Sequence, residues 1–159
     1  MMTMSMLGEV RPEHDRADDG DLVLLHYLRS FHRPVLEVWT AATERAHLAQ
    51  WLGAVTGDAD TVTIEPLDGP VAGPIAVRIE HCRAPHELAV RIDGCLVEVR
   101  MTQVGVVTNV ELIRRHVCQR DAAAIGPRWQ YLLDRLTAHL DQQPLPRWDG
   151  YPNLAGEYR

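Results

Sequence analysis

The sequence predicts an α+β domain: a curved antiparallel sheet of six to seven strands, two short helices after the first strand, and a long C-terminal helix across the concave face. Three observations predict it. Apolar and polar residues alternate through successive turns between residues 75 and 117. After a first strand, Val35, Val38, Trp39 and Ala42 recur at helical spacing. Near the end, Ile125, Trp129, Leu132, Leu133, Leu136 and Leu140 form one broad apolar stripe of helical period.

Residues 1–20 are acidic, end in glycine and lack any period, which predicts a disordered arm, with the fold proper beginning at Asp21. Leu22 to Phe31 reads as a first strand, ended by Pro34, whose ring cannot donate to a ladder. Pro34 suits the first turn of a helix, and Thr43 is read as the N-cap of a second, which Gly53 stops. Thr61 to Glu65 is a short alternating strand followed by turn signals at Asp68-Gly-Pro70 and Gly73-Pro74.

Asp93-Gly94 is a strong two-residue hairpin signal, since a primed turn needs positive φ at both positions. Taken as the loop, it sets Ile92 against Cys95, Val90 against Val97 and Leu88 against Val99, with Glu87 facing Arg100 on the other side. A loop at Arg83-Ala-Pro-His86 pairs Ile79 with Val90 and carries His81 to the apolar face opposite Leu88. A turn at Val104-Gly105 pairs Val99 with Val110, Val97 with Leu112 and Met101 with Thr108, at the cost of setting Glu98 against Glu111. The result is a meander with one apolar face and one arginine–glutamate face. Pro127 either starts the long helix or kinks it. The aromatic tail, residues 144–159, is expected to pack on the domain formed by residues 21–143.

Composition narrows the function. The chain has 159 residues, 46% of them hydrophobic and 24% charged, which fits one domain with one core. Every basic side chain besides histidine is arginine, so lysine Schiff bases and a phosphate-loop lysine are excluded. A formal charge of -6 without a basic stripe opposes nucleic-acid binding. Cys82, Cys95 and Cys118 form no C-x-x-C pair and read as buried thiols of a reducing compartment. The short apolar N-terminus is no signal peptide, and no stretch approaches the ~20 apolar residues of a membrane span, so no membrane insertion and a cytoplasmic location are expected.

Two stretches carry a resemblance. Phe31, Pro34, Val38-Trp39 and Leu48-Ala-Gln-Trp51-Leu52-Gly53 in the opening, with Gly126-Pro-Arg-Trp129, Leu133 and Leu136 in the close, resemble the first and last helices of the SRPBCC (START-like, birch-pollen-allergen-like) superfamily. The branch they resemble most is that of the activator of the heat-shock protein 90 ATPase. The chain departs from that pattern at Val107-Thr108, where a glycine–threonine pair is usual, and in a shortened stretch between Trp51 and Ile75. The resemblance implies a helix-grip fold. It also implies either a pocket for an apolar small molecule between sheet and final helix or, in the eponymous branch, a surface that docks on a chaperone.

No catalytic constellation stands out. Only two serines occur, Ser5 and Ser30, and no histidines lie at metal-binding spacing, so no metal and no cofactor are expected; His47 and His139 read as solvated. The expected function is a module that holds a small hydrophobic or lipid-like molecule in a cavity. The residues expected to line it are Trp39, Trp51, Val77, Ile79, His81, Leu88, Val90, Val97, Val99, Met101, Val110, Leu112, Trp129 and Leu133. The alternatives are a chaperone co-factor and, because superfamily members that cyclise polyketides host chemistry in such a pocket, a cyclase-like enzyme. Self-association as a homodimer is compatible with either.

Overall fold

The computed structural model describes residues 7–17, 20–71 and 73–158. Eight antiparallel strands form one open sheet in the order β1-β2-β8-β7-β6-β5-β4-β3: β1 Glu9–Ala17, β2 Gly20–Phe31, β3 Gly53–Gly57, β4 Thr61–Pro66, β5 Ile75–Arg83, β6 Glu87–Ile92, β7 Cys95–Val104 and β8 Val107–Cys118. The helices are α1 Val35–Thr43, α2 Arg45–Trp51 and α3 Ala122–Leu140; 3₁₀ turns occupy Gln119–Asp121 and Trp148–Tyr158. The α+β architecture is the one the sequence predicts, with more strands than the six to seven expected.

The two additional strands are the sheet edges. Glu9–Ala17, expected within a disordered arm, pairs antiparallel with β2 across an irregularity between Pro12 and Arg16. Among its described side chains Val10 packs on the core, the strand's sequence presents no alternation to read, and backbone pairing supplies its order. Residues 1–6 and 18–19 lie outside the described residues. At the opposite edge, Gly53–Gly57 pairs with β4 immediately after α2 ends.

The Asp93-Gly94 hairpin has the predicted register, Ile92 with Cys95 through Glu87 with Arg100. The following hairpin turns at Gly105-Val106, one residue later than expected, because Gly105 supplies the positive φ of 62°. Partners therefore move by two: Val99 faces Leu112, Met101 faces Val110 and Arg100 faces Glu111. Two is the side-chain period of a strand, so every inward residue stays inward. The shift also removes the Glu98–Glu111 clash, since Glu98 now faces Ile113 and pairs with the Arg115 guanidinium.

Thr43 does not cap α2; its hydroxyl donates back to the Trp39 carbonyl at 2.7 Å, and Glu44 forms the junction. Pro127 lies inside α3, buried in its second turn. Cys82 is exposed and Cys95 and Cys118 are half-buried, correcting the expectation of buried thiols.

The core has two clusters. One, beneath α1, α2 and the C-terminal half of α3, joins Phe31, Val38, Trp39, Trp51, Met101, Val110, Leu136 and Leu140. The other joins Val23, Leu25, Tyr27, Val97, Leu112, Ala122, Leu133 and Tyr158. Tyr158 brings the tail into this second cluster: its hydroxyl accepts from the Gly8 N–H at 3.0 Å and donates to Gln130 Oε1 at 3.0 Å. The neighbouring Tyr27 hydroxyl donates to the Gly126 carbonyl at 2.6 Å. A Cβ on Gly126 would lie 2.2 Å from the Tyr158 ring, so this contact requires glycine.

Candidate functional site: the concave face

β5 to β8 turn one side of each strand toward α3, and the residues predicted to line a cavity sort into three groups there. Val77, Val97, Met101, Val110, Leu112, Leu133, Trp39 and Trp51 are buried. Trp51 also donates its indole N–H to the Ala41 carbonyl at 2.8 Å, which fixes it as a packing residue. Ile79, Leu88, Val90, Val99 and Trp129 are only half-buried. His81 is not on this face. An irregularity between Ile79 and His81 sets His81 against Ala89 and swings its ring outward to Glu87, 3.2 Å away, with the side chain 56% exposed.

The half-buried group forms a strip. Leu88, Val90 and Ile92 on β6 and Val99 on β7 pack against the two clusters from the side, and Ile125 and Trp129 on α3 pack against the second of them. Ile92 and Ile125 extend the predicted set. The strip is left open because the α3 backbone comes closest to β2, α1, α2 and the tail, over the other half of the sheet. The β4–β5 connection is drawn toward α3: Asp68 Oδ2 accepts from the Tyr131 hydroxyl at 2.6 Å and from the Trp148 N–H at 2.9 Å. The Tyr131 bond, then the Trp148 N–H, holds the Asp68 carboxyl below the usual carboxylate range, while burial and then Asp68 push the Tyr131 hydroxyl up.

Three arginines are buried around this core. Arg29 donates to Asp134 Oδ1 at 2.6 Å and to Thr137 Oγ1 at 3.1 Å. Arg135 donates to the Trp51 and Pro146 carbonyls, each at 2.7 Å, and lies over the Tyr131 ring. Arg114, 8% exposed, sits on the apolar side of β8 between Leu25 and Val97, and a guanidinium N–H donates to the Arg115 carbonyl. The outer face carries the expected ion pairs, among them Arg91 and Arg78 on Glu80.

A separate groove of about 720 Å³ opens on the far side of α3's C-terminal end, walled by Pro34, Leu36, Ala41, Leu140, Leu145 and the pair His47–His139. None of the predicted cavity residues lines it. The two imidazoles approach to 2.9 Å, Nδ1 to Nε2, although the sequence read both as solvated. No spacing could reveal this, since the pair joins α2 to α3 across 92 residues. Among the described residues, no group of three or more His, Cys, Asp or Glu is arranged to hold a metal ion, and no helix is long and apolar enough to cross a membrane.

An open antiparallel sheet gripping a long C-terminal helix, with two short helices after the strand that leads into them, is a helix-grip fold. Solved structures with this fold include CalU16 from Micromonospora echinospora, 21% identical over 96% of this chain and 95% of that one, with a TM-score of 0.72. They also include DynU16, a protein of the dynemicin biosynthetic locus, 21% identical over 79% of this chain with a TM-score of 0.68; the chain spans half of DynU16's length. The Aha1 dimer from Colwellia psychrerythraea is 14% identical over 74% of this chain and 96% of that one, with a TM-score of 0.62. No protein-family model and no curated protein sequence matches the chain.

Proposed function

We propose that the protein is a cytoplasmic binding module that holds a small hydrophobic or lipid-like molecule between the sheet and α3. One observation carries this reading. Ile79, Leu88, Val90, Ile92 and Val99 are only half-buried, as are Ile125 and Trp129 of α3, beside a core whose other members are closed to solvent. Leaving such side chains partly in water forfeits roughly 25 cal/mol for each Å² that a guest would cover. A predominantly apolar lining is what small-molecule sites use. The name of DynU16, which ties that neighbour to a biosynthetic locus, is compatible with a small-molecule ligand.

Native mass spectrometry of protein purified from its own host tests the proposal. The expected result is a fraction carrying one added small apolar mass that denaturing conditions release, and loss of that fraction in Val90→Arg, whose folding is checked by circular dichroism. Bare protein only, together with no change in Trp fluorescence on adding aliphatic or aromatic probes, would overturn it.

A further inference from the structure

We infer that Arg114 is the polar anchor of the concave site and that the ligand is a small apolar acid, its anionic end on the Arg114 guanidinium. This deepens the binding reading and rests on it. β8 alternates with Thr108, Val110, Leu112 and Arg114 all buried on one side. The cross-strand partners of Arg114, Leu25 at 0% and Val97 at 2% exposure, are core residues, so the guanidinium stem enters the apolar layer rather than the arginine–glutamate face.

From Arg114 a single row of paired residues crosses the sheet through Val97 and Val90 to Ile79. The row begins with a cation, passes one sealed residue and ends on two half-buried members of the open strip. A molecule lying along it meets apolar side chains for its body and a charge at one end.

Contrast with the other buried arginines gives the chemistry. Arg29 has the carboxylate of Asp134, and Arg135 is spread over two carbonyls and an aromatic face. Arg114 has no carboxylate within ion-pair distance among the described residues, and the Arg115 carbonyl takes only one of its five N–H groups. Its remaining nitrogens are not sealed without a partner, so they keep contact with solvent inside a side chain that is nine-tenths covered. A buried cation without a counter-charge is costly, and a planar fork of free donors is the geometry that a carboxylate or similar oxyanion fills. The protein's net charge of -6 offers anions no general attraction, so the selectivity must be local.

The test compares decanoate with decanol, which share an apolar body and differ in charge, on the whole chain below their aggregation concentrations. Binding is followed by Trp fluorescence, and the Arg114 Nε–H resonance is followed by NMR. Wild type should prefer decanoate by about tenfold or more. The Arg114 resonance should shift with decanoate and not with decanol, and Arg114→Gln should lose the preference while still binding decanol. If that variant does not fold, the resonance on wild type decides alone. Equal binding of both probes with an unmoved Arg114 resonance would overturn the anchor and leave the cavity standing. Failure of both probes to bind would overturn the cavity itself and the anchor with it.

Discussion

His47 and His139 face each other at 2.9 Å with their rings nearly perpendicular, an arrangement in which one nitrogen must donate and the other must keep its lone pair. At most one ring can be charged without breaking the bond. Burial first, and then the neighbouring His47, hold the His139 pKa below the ordinary histidine value of about 6.5. A histidine depressed in the folded state contributes stability that is present above its unfolded pKa and is lost as pH falls toward its folded one. Thermal unfolding measured from pH 8 to pH 5 should therefore show the wild-type midpoint dropping on the acid side of about 6.5, and His139→Gln should flatten that drop. A profile that His139→Gln leaves unchanged would assign the drop to another group. Arg33 and Glu37, which share the groove with the pair, form an ion pair at 2.6 Å and are retained in both proteins.

Between elements, the tightest constraint lies where β2, α3 and the tail converge on Tyr27, Gly126 and Tyr158. Gly126→Ala forces a methyl into the Tyr158 ring and should destabilise the protein by about 1–3 kcal/mol despite the better helix propensity of alanine. In the Tyr158→Ala background the same substitution should be neutral or favourable, and a double-mutant cycle from urea denaturation measures the coupling. This junction was half legible. Gly126 stood out in the helical pattern, but its reason, an aromatic ring arriving from 32 positions downstream, is a tertiary fact.

The hairpins divide in the same way. Asp93-Gly94 fixed its register because both turn residues favour positive φ, whereas Val104-Gly105-Val106 offered one glycine and two possible frames, which differ by a whole side-chain period. Inward residues were therefore read correctly from a wrong register. His81 was not, because a single irregularity in β5 leaves no mark on composition and reverses the face of everything after it. Arg114 shares the side of Val110 and Leu112 in either frame, so alternation alone places it inward, against the usual outward preference of an arginine; the observed frame adds its neighbours, Leu25 and Val97.

At the level of the molecule, the sheet is open and part of its concave face is covered by pieces from distant parts of the chain: α1 and α2 at one end, α3 over the half nearest β2, and the tail against α3. The tail's Trp148 and Tyr151 stack at 5.9 Å and both meet Tyr131 edge-on, while the Tyr151 hydroxyl donates to Asp134, the acid that also holds Arg29. Removal of residues 148–159 should therefore do more than trim an end. It strips Asp134 of one donor, empties the space Tyr158 fills and uncovers the second core cluster. The expected outcome is a lower thermal midpoint and new binding of a fluorescent apolar dye to the folded protein, read by differential scanning fluorimetry. A midpoint equal to that of the full chain would show that the aromatic packing adds nothing to stability.

The hydrogen bond from Gly8 to Tyr158 joins positions 150 residues apart. Closing so long a loop is entropically demanding before other contacts have shortened it, so this latch engages late in folding. During translation β1 can zip onto β2 early, whereas the residue just ahead of it stays unfastened until Tyr158 has left the ribosome, and a protease meeting the nascent chain would find its opening there.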